Sequence, residues 1–189
     1  MEITSPVLRP CLWFDDQAEA AVDLYTSTFP DSRILRVTRF GREGQEIHGR
    51  TEGSVMTIDF TLGDSTFTAL NGGPHFTFNE AISLQVMCRS QEEVDHYWER
   101  LGEGGDESAR QCGWLKDRFG LSWQIIPEAM LPLLGEPDDP RSQRAMKAML
   151  SMEKIELRTI VEAYHGEEGG SVNATRATAM DPRPDPPVA

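Results

Sequence analysis

A chain of 189 residues, 39% apolar and 26% charged, has a soluble globular composition and can fill one core or two small modules sharing one. Its net charge of −13 repels phosphate backbones and anionic bilayers, which excludes nucleic-acid and membrane partners. No run is long and apolar enough to span a bilayer. The start MEITSPVLRP lacks a signal pattern, which argues for the cytoplasm.

Val7 to Phe14 reads as a first strand, with Pro10 implying an edge or a bulge because proline cannot donate to a ladder. Asp16 with Glu19 forms the capping signal of a helix whose apolar stripe is Ala18, Ala21, Val22, Tyr25 and Phe29. Ile34 to Phe40 is a second strand, and Gly41 to Gly53 a charged loop. Ser54 to Leu62 alternates, with Met56, Ile58, Phe60 and Leu62 on one face and Thr57, Asp59 and Thr61 on the other. Gly63-Asp64 turns the chain into a fourth strand, Ser65 to Leu70.

The stretch from Ala69 to Val86 joins two halves that resemble each other. It breaks at Asn71-Gly72-Gly73-Pro74 and crosses a loop with His75, Phe76 and Phe78 before a strand opens at Ile82. Hydrogen-bonding groups among aromatics there suit the rim of a ligand site. After it, Ser90 with Glu93 caps a helix with Val94, Tyr97, Trp98 and Leu101 inward. Residues 106–111 are a short strand or a loop, and strands follow at Gly113–Lys116 and Leu121–Pro127.

Glu128 to Leu134 is a short helix. A second, capped by Asp139-Pro140, runs through Met152, and helical spacing continues from Ile155 to Tyr164. Residues 165–189 lose periodicity and are expected to be disordered. Cys11, Cys88 and Cys112 form no CxxC pair and suit reduced, buried roles.

CLWFDDQAEAAVDLYTSTFPDSRI, ALNGGPHFTFNEAISLQV and CGWLKDRFGLSWQIIP together resemble the PhnB-like branch, often labelled demethylubiquinone methyltransferase-like, of the vicinal oxygen chelate superfamily (the glyoxalase, bleomycin-resistance and dioxygenase proteins). The resemblance implies an α+β fold of two tandem βαβββ modules, about residues 5–72 and 80–127, forming a curled mixed sheet. Helices over 128–164 complete a domain of residues 1–164. The superfamily holds a metal from the first and last strands of each module. The matching positions here lie near Pro10, Thr68 or Ala69, Ala81 or Ser83, and Gln124, and only Gln124 could ligate well. The expectation is therefore no cofactor, with a divalent metal bound weakly at most.

The methyltransferase label lacks support, because the Gly72-Gly73 turn leads into a strand rather than a helix. Two classes stay open. One is a binding protein holding a small molecule in the concave sheet cavity, with Trp13, Asp59, Asn71, His75, Phe76, Ser83, Gln85, Trp114 and Gln124 as ligand contacts. The other is a lyase, isomerase or dioxygenase-like enzyme acting on a small metabolite, with Asp59 or His75 as its base. A homodimer through the C-terminal helices (Met146, Met149, Leu150, Ile155, Ile160) and the edge near Pro10 completes the expectation.

Overall fold

Pro10 delays the first strand. In the structure, a computed structural model describing residues 8–166, β1 spans only Cys11–Phe14. Helix α1 (Ala18–Thr28) and β2 (Arg33–Arg39) follow. The charged loop then contains one helical turn, α2 (Gln45–His48), closed at both ends by left-handed Gly44 and Gly49. β3 (Val55–Leu62) and β4 (Ser65–Asn71) complete a four-stranded sheet of order β1-β4-β3-β2, with β1 parallel to β4 and the rest antiparallel.

The expected alternation in β3 slips at its start. Thr38 pairs with Thr57 but Arg39 pairs with Val55, so Met56 is an extra residue opposite one step of β2. That bulge buries Val55 in place of Met56, and Ile58 and Phe60 resume the buried face. On the other face lie Thr57, Asp59 and Thr61.

The second half repeats the plan with one strand fewer. β5 (Ser83–Cys88), α3 (Gln91–Gly102), β6 (Trp114–Lys116) and β7 (Ser122–Pro127) give a sheet of order β5-β7-β6. Residues 106–111 instead hold a 3-10 turn, Glu107–Ala109, whose start is capped by the Asp106 carboxylate. The Ser90 cap forms as expected, accepting from Glu93 N at 3.3 Å. The Glu93 carboxylate reaches back to Arg89 N at 2.7 Å rather than to Ser90 N.

One apolar core joins the inner faces of both sheets to α1 and α3. Phe29, just past the end of α1, stacks on Tyr97 of α3 at 4.8 Å and on Trp123 of β7 at 5.6 Å. At its centre Asp117 is buried, and every group aimed at its carboxylate is a donor. Oδ2 accepts from Tyr25 OH at 2.7 Å and Trp123 Nε1 at 2.9 Å. Oδ1 accepts from the backbone N–H groups of Phe119 and Leu121. Four donors suit an ionised carboxylate, yet burial raises its pKa above the usual range, and burial likewise drives the Tyr25 hydroxyl well upward.

Beyond β7, a 3-10 turn leads into α4 (Leu131–Leu134), then α5 (Pro140–Leu150) and α6 (Leu157–His165). They enclose a second cluster around Met130, Ala145, Ile155 and Ile160. Asp139 caps α5 by accepting from Arg141 N at 2.8 Å. Helix α6 includes His165 and closes at left-handed Gly166, two residues past the expected end of the helical region. The rest of the tail expected to be disordered, 167–189, lies outside the described residues. Among the described residues no helix is long and apolar enough to cross a membrane.

Candidate functional site

The turn after β4 is built onto β1. Gly72 N donates to Phe14 O and Gly73 N to Asp15 O, which carries the chain across the end of the parallel β1–β4 pair. Trp13 then donates its indole N–H to Gly73 O at 2.8 Å. A Cβ on Gly72 would stand 2.3 Å from the Trp13 ring, so the approach requires glycine there. Arg50 fastens the same turn from outside, donating to the Asp15 carbonyl and pairing with its carboxylate at 2.8 Å.

This arrangement opens a cleft of about 450 Å³ at the junction of the two halves. Trp13, Phe14, Phe76, Phe78 and Phe119 give it aromatic walls, and Asp15, Gln17, Thr77 and Arg118 add polar groups. Trp13 and Phe76 meet edge to face at 4.9 Å, and Phe14 meets Phe78 the same way at 5.2 Å. Arg118 is held by Glu103 at 3.0 Å. The volume and the mostly apolar lining fall within the range of small-molecule sites.

The remaining candidates separate into two polar faces and two isolated positions. On the first sheet, Cys11, Thr68 and Asp59 stand side by side across β1, β4 and β3, on the same face as Trp13. Asp59 accepts from Thr68 Oγ1 at 2.7 Å and pairs with Arg9 at 3.1 Å, so its charge is already met. Cys11 is exposed rather than buried, unlike Cys88, whose burial pushes its thiol up to about 12. On the second sheet, Gln124 donates to Ser83 Oγ at 2.7 Å and accepts from Gln85 Nε2 at 3.3 Å, with Trp114 beside it in register. Among the described residues no strand of one sheet pairs with a strand of the other, so each polar face is built on its own ladder.

Asn71, expected at the ligand site, is spent on the fold. Its side chain is buried, accepting from Ala18 N at 2.9 Å and donating to Val55 O and Glu19. It caps α1 from the end of β4, a role expected of Asp16, while the local N-cap Gln17 makes no side-chain cap. His75 is exposed on the turn and does not line the cleft.

Among the described residues no group of three or more His, Cys, Asp or Glu side chains could hold a metal ion. The positions matching the superfamily's metal ligands offer only the Gln124 amide, already shared with Ser83 and Gln85. The donor set does not fit a catalytic divalent metal. Both strand-to-helix turns, Asp15-Asp16-Gln17 into α1 and Arg89-Ser90 into α3, lack the glycines a methyl-donor nucleotide would need for close backbone approach.

The sequence model for 3-demethylubiquinone-9 3-methyltransferase matches residues 6–126, nearly two thirds of the chain. The chain belongs to this family, the PhnB-like branch of the vicinal oxygen chelate superfamily. A PhnB protein from Bacillus cereus is 31% identical with a TM-score of 0.56, over 64% of this chain and 98% of that one. A Pseudomonas aeruginosa protein, 19% identical with a TM-score of 0.52, shares the fold over 66% of this chain and 98% of its own. No curated protein matches the chain.

The matched span contains every residue of the junction cleft. Helices α4, α5 and α6 lie beyond it. In this PhnB-like chain the residues of the cleft and its brace that the sequence does not single out include Arg50, Arg118 and Phe119. Asp117-Arg118-Phe119-Gly120 carries the signal of a tight turn, but not of a cleft wall. Arg50 sits in a loop with no pattern at all.

Proposed function

We propose that this PhnB-like protein binds a small, flat, largely apolar molecule in the junction cleft, without a tightly bound catalytic metal. The observation that carries the reading is a 450 Å³ aromatic cleft that includes two of the expected contacts, Trp13 and Phe76. Trp13 is fixed by its bond to Gly73, so a ring can stack there at little cost in side-chain ordering. Ser83, Gln85, Trp114 and Gln124 form a separate polar patch, which serves a ligand only if it extends beyond the cleft.

The enzymatic alternative has one observation in its favour. Asp59 lies on the same sheet face as Trp13, two residues down the strands and two strands across, about 12 Å from it by strand geometry. A ligand seated against Trp13 and reaching along that face would meet the carboxylate.

A thermal-shift screen of small metabolites, run with and without EDTA, tests the binding reading. Hits are expected among planar compounds. At one hundred times Kd they should add roughly 2.7 kcal/mol of stability, unchanged by the chelator. Phe76→Ala changes an exposed residue and should weaken them at least tenfold; Gly72→Ala should do so by displacing Trp13. Hits indifferent to both variants, or lost in EDTA, would overturn it.

We also propose a homodimer, through the edges of the first sheet rather than the C-terminal helices. Ile155 and Ile160 are buried within their own chain and Met149 packs on them, whereas Ile34, Leu35 and Val37 on edge strand β2 are 43–46% exposed. Light scattering that returns the mass of one chain at every concentration would refute this.

A further inference from the structure

The C-terminal helices lie outside the family match and carry a feature the junction cleft does not use. Against α5 runs an open apolar groove of about 370 Å³, lined by Leu134, Pro137, Met146 and Leu150. Met146 and Leu150 are exposed, although α5 is otherwise packed on α6. Ser142 also lines the groove; it is only 3% exposed, and its hydroxyl has no hydrogen-bond partner among the described residues. A buried hydroxyl without a partner is uncommon and points to a missing one.

The charges select the occupant. Helix α5 carries Arg141, Arg144 and Lys147 and no carboxylate, within a chain of net charge −13. Arg141 is engaged by Asp139 at 2.7 Å, and Arg144 donates to the carbonyls of Ala163 and Tyr164 at the end of α6. Lys147 lines the groove, exposed, with no ion-pair partner among the described residues. A second copy packed here about a two-fold axis would set these cations against their own equivalents, so self-association is disfavoured. An anionic bilayer is repelled by the chain as a whole. Glu136 and Asp138 flank Pro137 at the far end, so an anionic head belongs at Lys147 and an apolar tail toward Leu134.

We propose that this groove binds a free medium-chain fatty acid, its carboxylate at Lys147 and its alkyl chain on Met146, Leu150 and Leu134. The flexible thioether of Met146 can follow an alkyl chain without a fixed fit. The proposal is independent of the junction cleft.

The test titrates the full chain with octanoate, decanoate and dodecanoate below their micellar concentrations, reading the methyl resonances of Met146 and Met149 and the binding heat. Affinity should rise about fourfold per added methylene until the groove is full. Lys147→Glu, an exposed change that leaves the fold intact, should weaken dodecanoate at least fivefold, and Leu150→Asp should abolish binding. Phe76→Ala should leave it unchanged. An unshifted Met146 methyl, or affinity indifferent to chain length or to Lys147→Glu, would overturn the proposal. So would binding to anionic phospholipid vesicles but not to the free acid. A Met146 shift that follows protein concentration without ligand, with the mass of two chains in light scattering, would give the groove to a second copy.

Discussion

The two apolar clusters of this chain are made of different materials. The junction core is aromatic and directional: Tyr25, Phe29, Phe60 and Trp123 pack in stacked or edge-on pairs around the four-donor carboxylate of Asp117. The C-terminal cluster is aliphatic and thioether-rich, with Met130, Met149 and Met152 around Ile155 and Ile160. Rings and buried hydrogen bonds accept few arrangements, whereas methionines accept many. The cleft residues Phe14 and Phe119 belong to or pack on the first cluster, so their positions inherit its rigidity. The groove on α5 borders the second, where a tolerant surface costs less precision.

Asp117→Asn breaks that comparison most directly. The amide keeps the shape but turns an N–H group toward donors that expect an acceptor, leaving buried groups unsatisfied. Thermal or urea unfolding should show a loss of roughly 3 kcal/mol. Ligand affinity at the junction cleft should fall as well, because Phe119 and Leu121 hang from the same carboxylate. Dodecanoate binding at α5 should persist in the folded fraction. A variant with native stability would mean that ring packing alone holds the junction.

Much of this organisation was legible locally. The stripe Ala18, Ala21, Val22 and Tyr25 is buried along α1 as its spacing requires, and Ser90 caps α3 as its motif requires. Such signals live within a few residues. The partners of Asp117 do not, since Tyr25 lies 92 positions away. Asn71 looked like a site residue because it is polar and precedes a glycine turn. Its capping of α1 exists only once β4 lies parallel to β1 and brings residue 71 beside residue 18. Trp13 and Phe76 stand out in the sequence because aromatic residues near such a turn are conspicuous, and both line the junction cleft. Phe119 and Arg118 were missed because a turn sequence announces its shape and not its neighbours. By spacing alone Ile155 and Ile160 read as spare apolar residues, but both are buried in the fold of α5 against α6.

The smallest effect sharpens the comparison through pH. The junction core, and its contact with the C-terminal segment, each hold a carboxylate whose pKa moves, and the two move in opposite directions. Asp117 is raised by burial, against the pull of its four donors. Asp95 on α3 is lowered, first by its hydrogen bond from Lys154 and then by Gln91, contacts that tie the C-terminal segment to α3. Gln91 also donates to Ile155 O and accepts from Leu157 N, so the same patch seats α6. A folded-state pKa above the unfolded one gives stability that is complete below the unfolded pKa and declines as pH rises through the folded value. For Asp117 that decline therefore begins in the ordinary aspartate range and is complete only above it. A folded-state pKa below the unfolded one gives stability present above the unfolded pKa and lost as pH falls through the folded value. Asp95 follows that course on the acid side, weakly, because its ion pair is partly exposed and screened. Carboxyl carbon NMR should place the Asp117 midpoint above that of a free aspartate and the Asp95 midpoint below it. Lys154→Met should return Asp95 toward the free value and leave Asp117 where it was. If both midpoints moved together, the junction and the C-terminal helices would form one electrostatic unit, and the division between a rigid core and a tolerant appendage would fail.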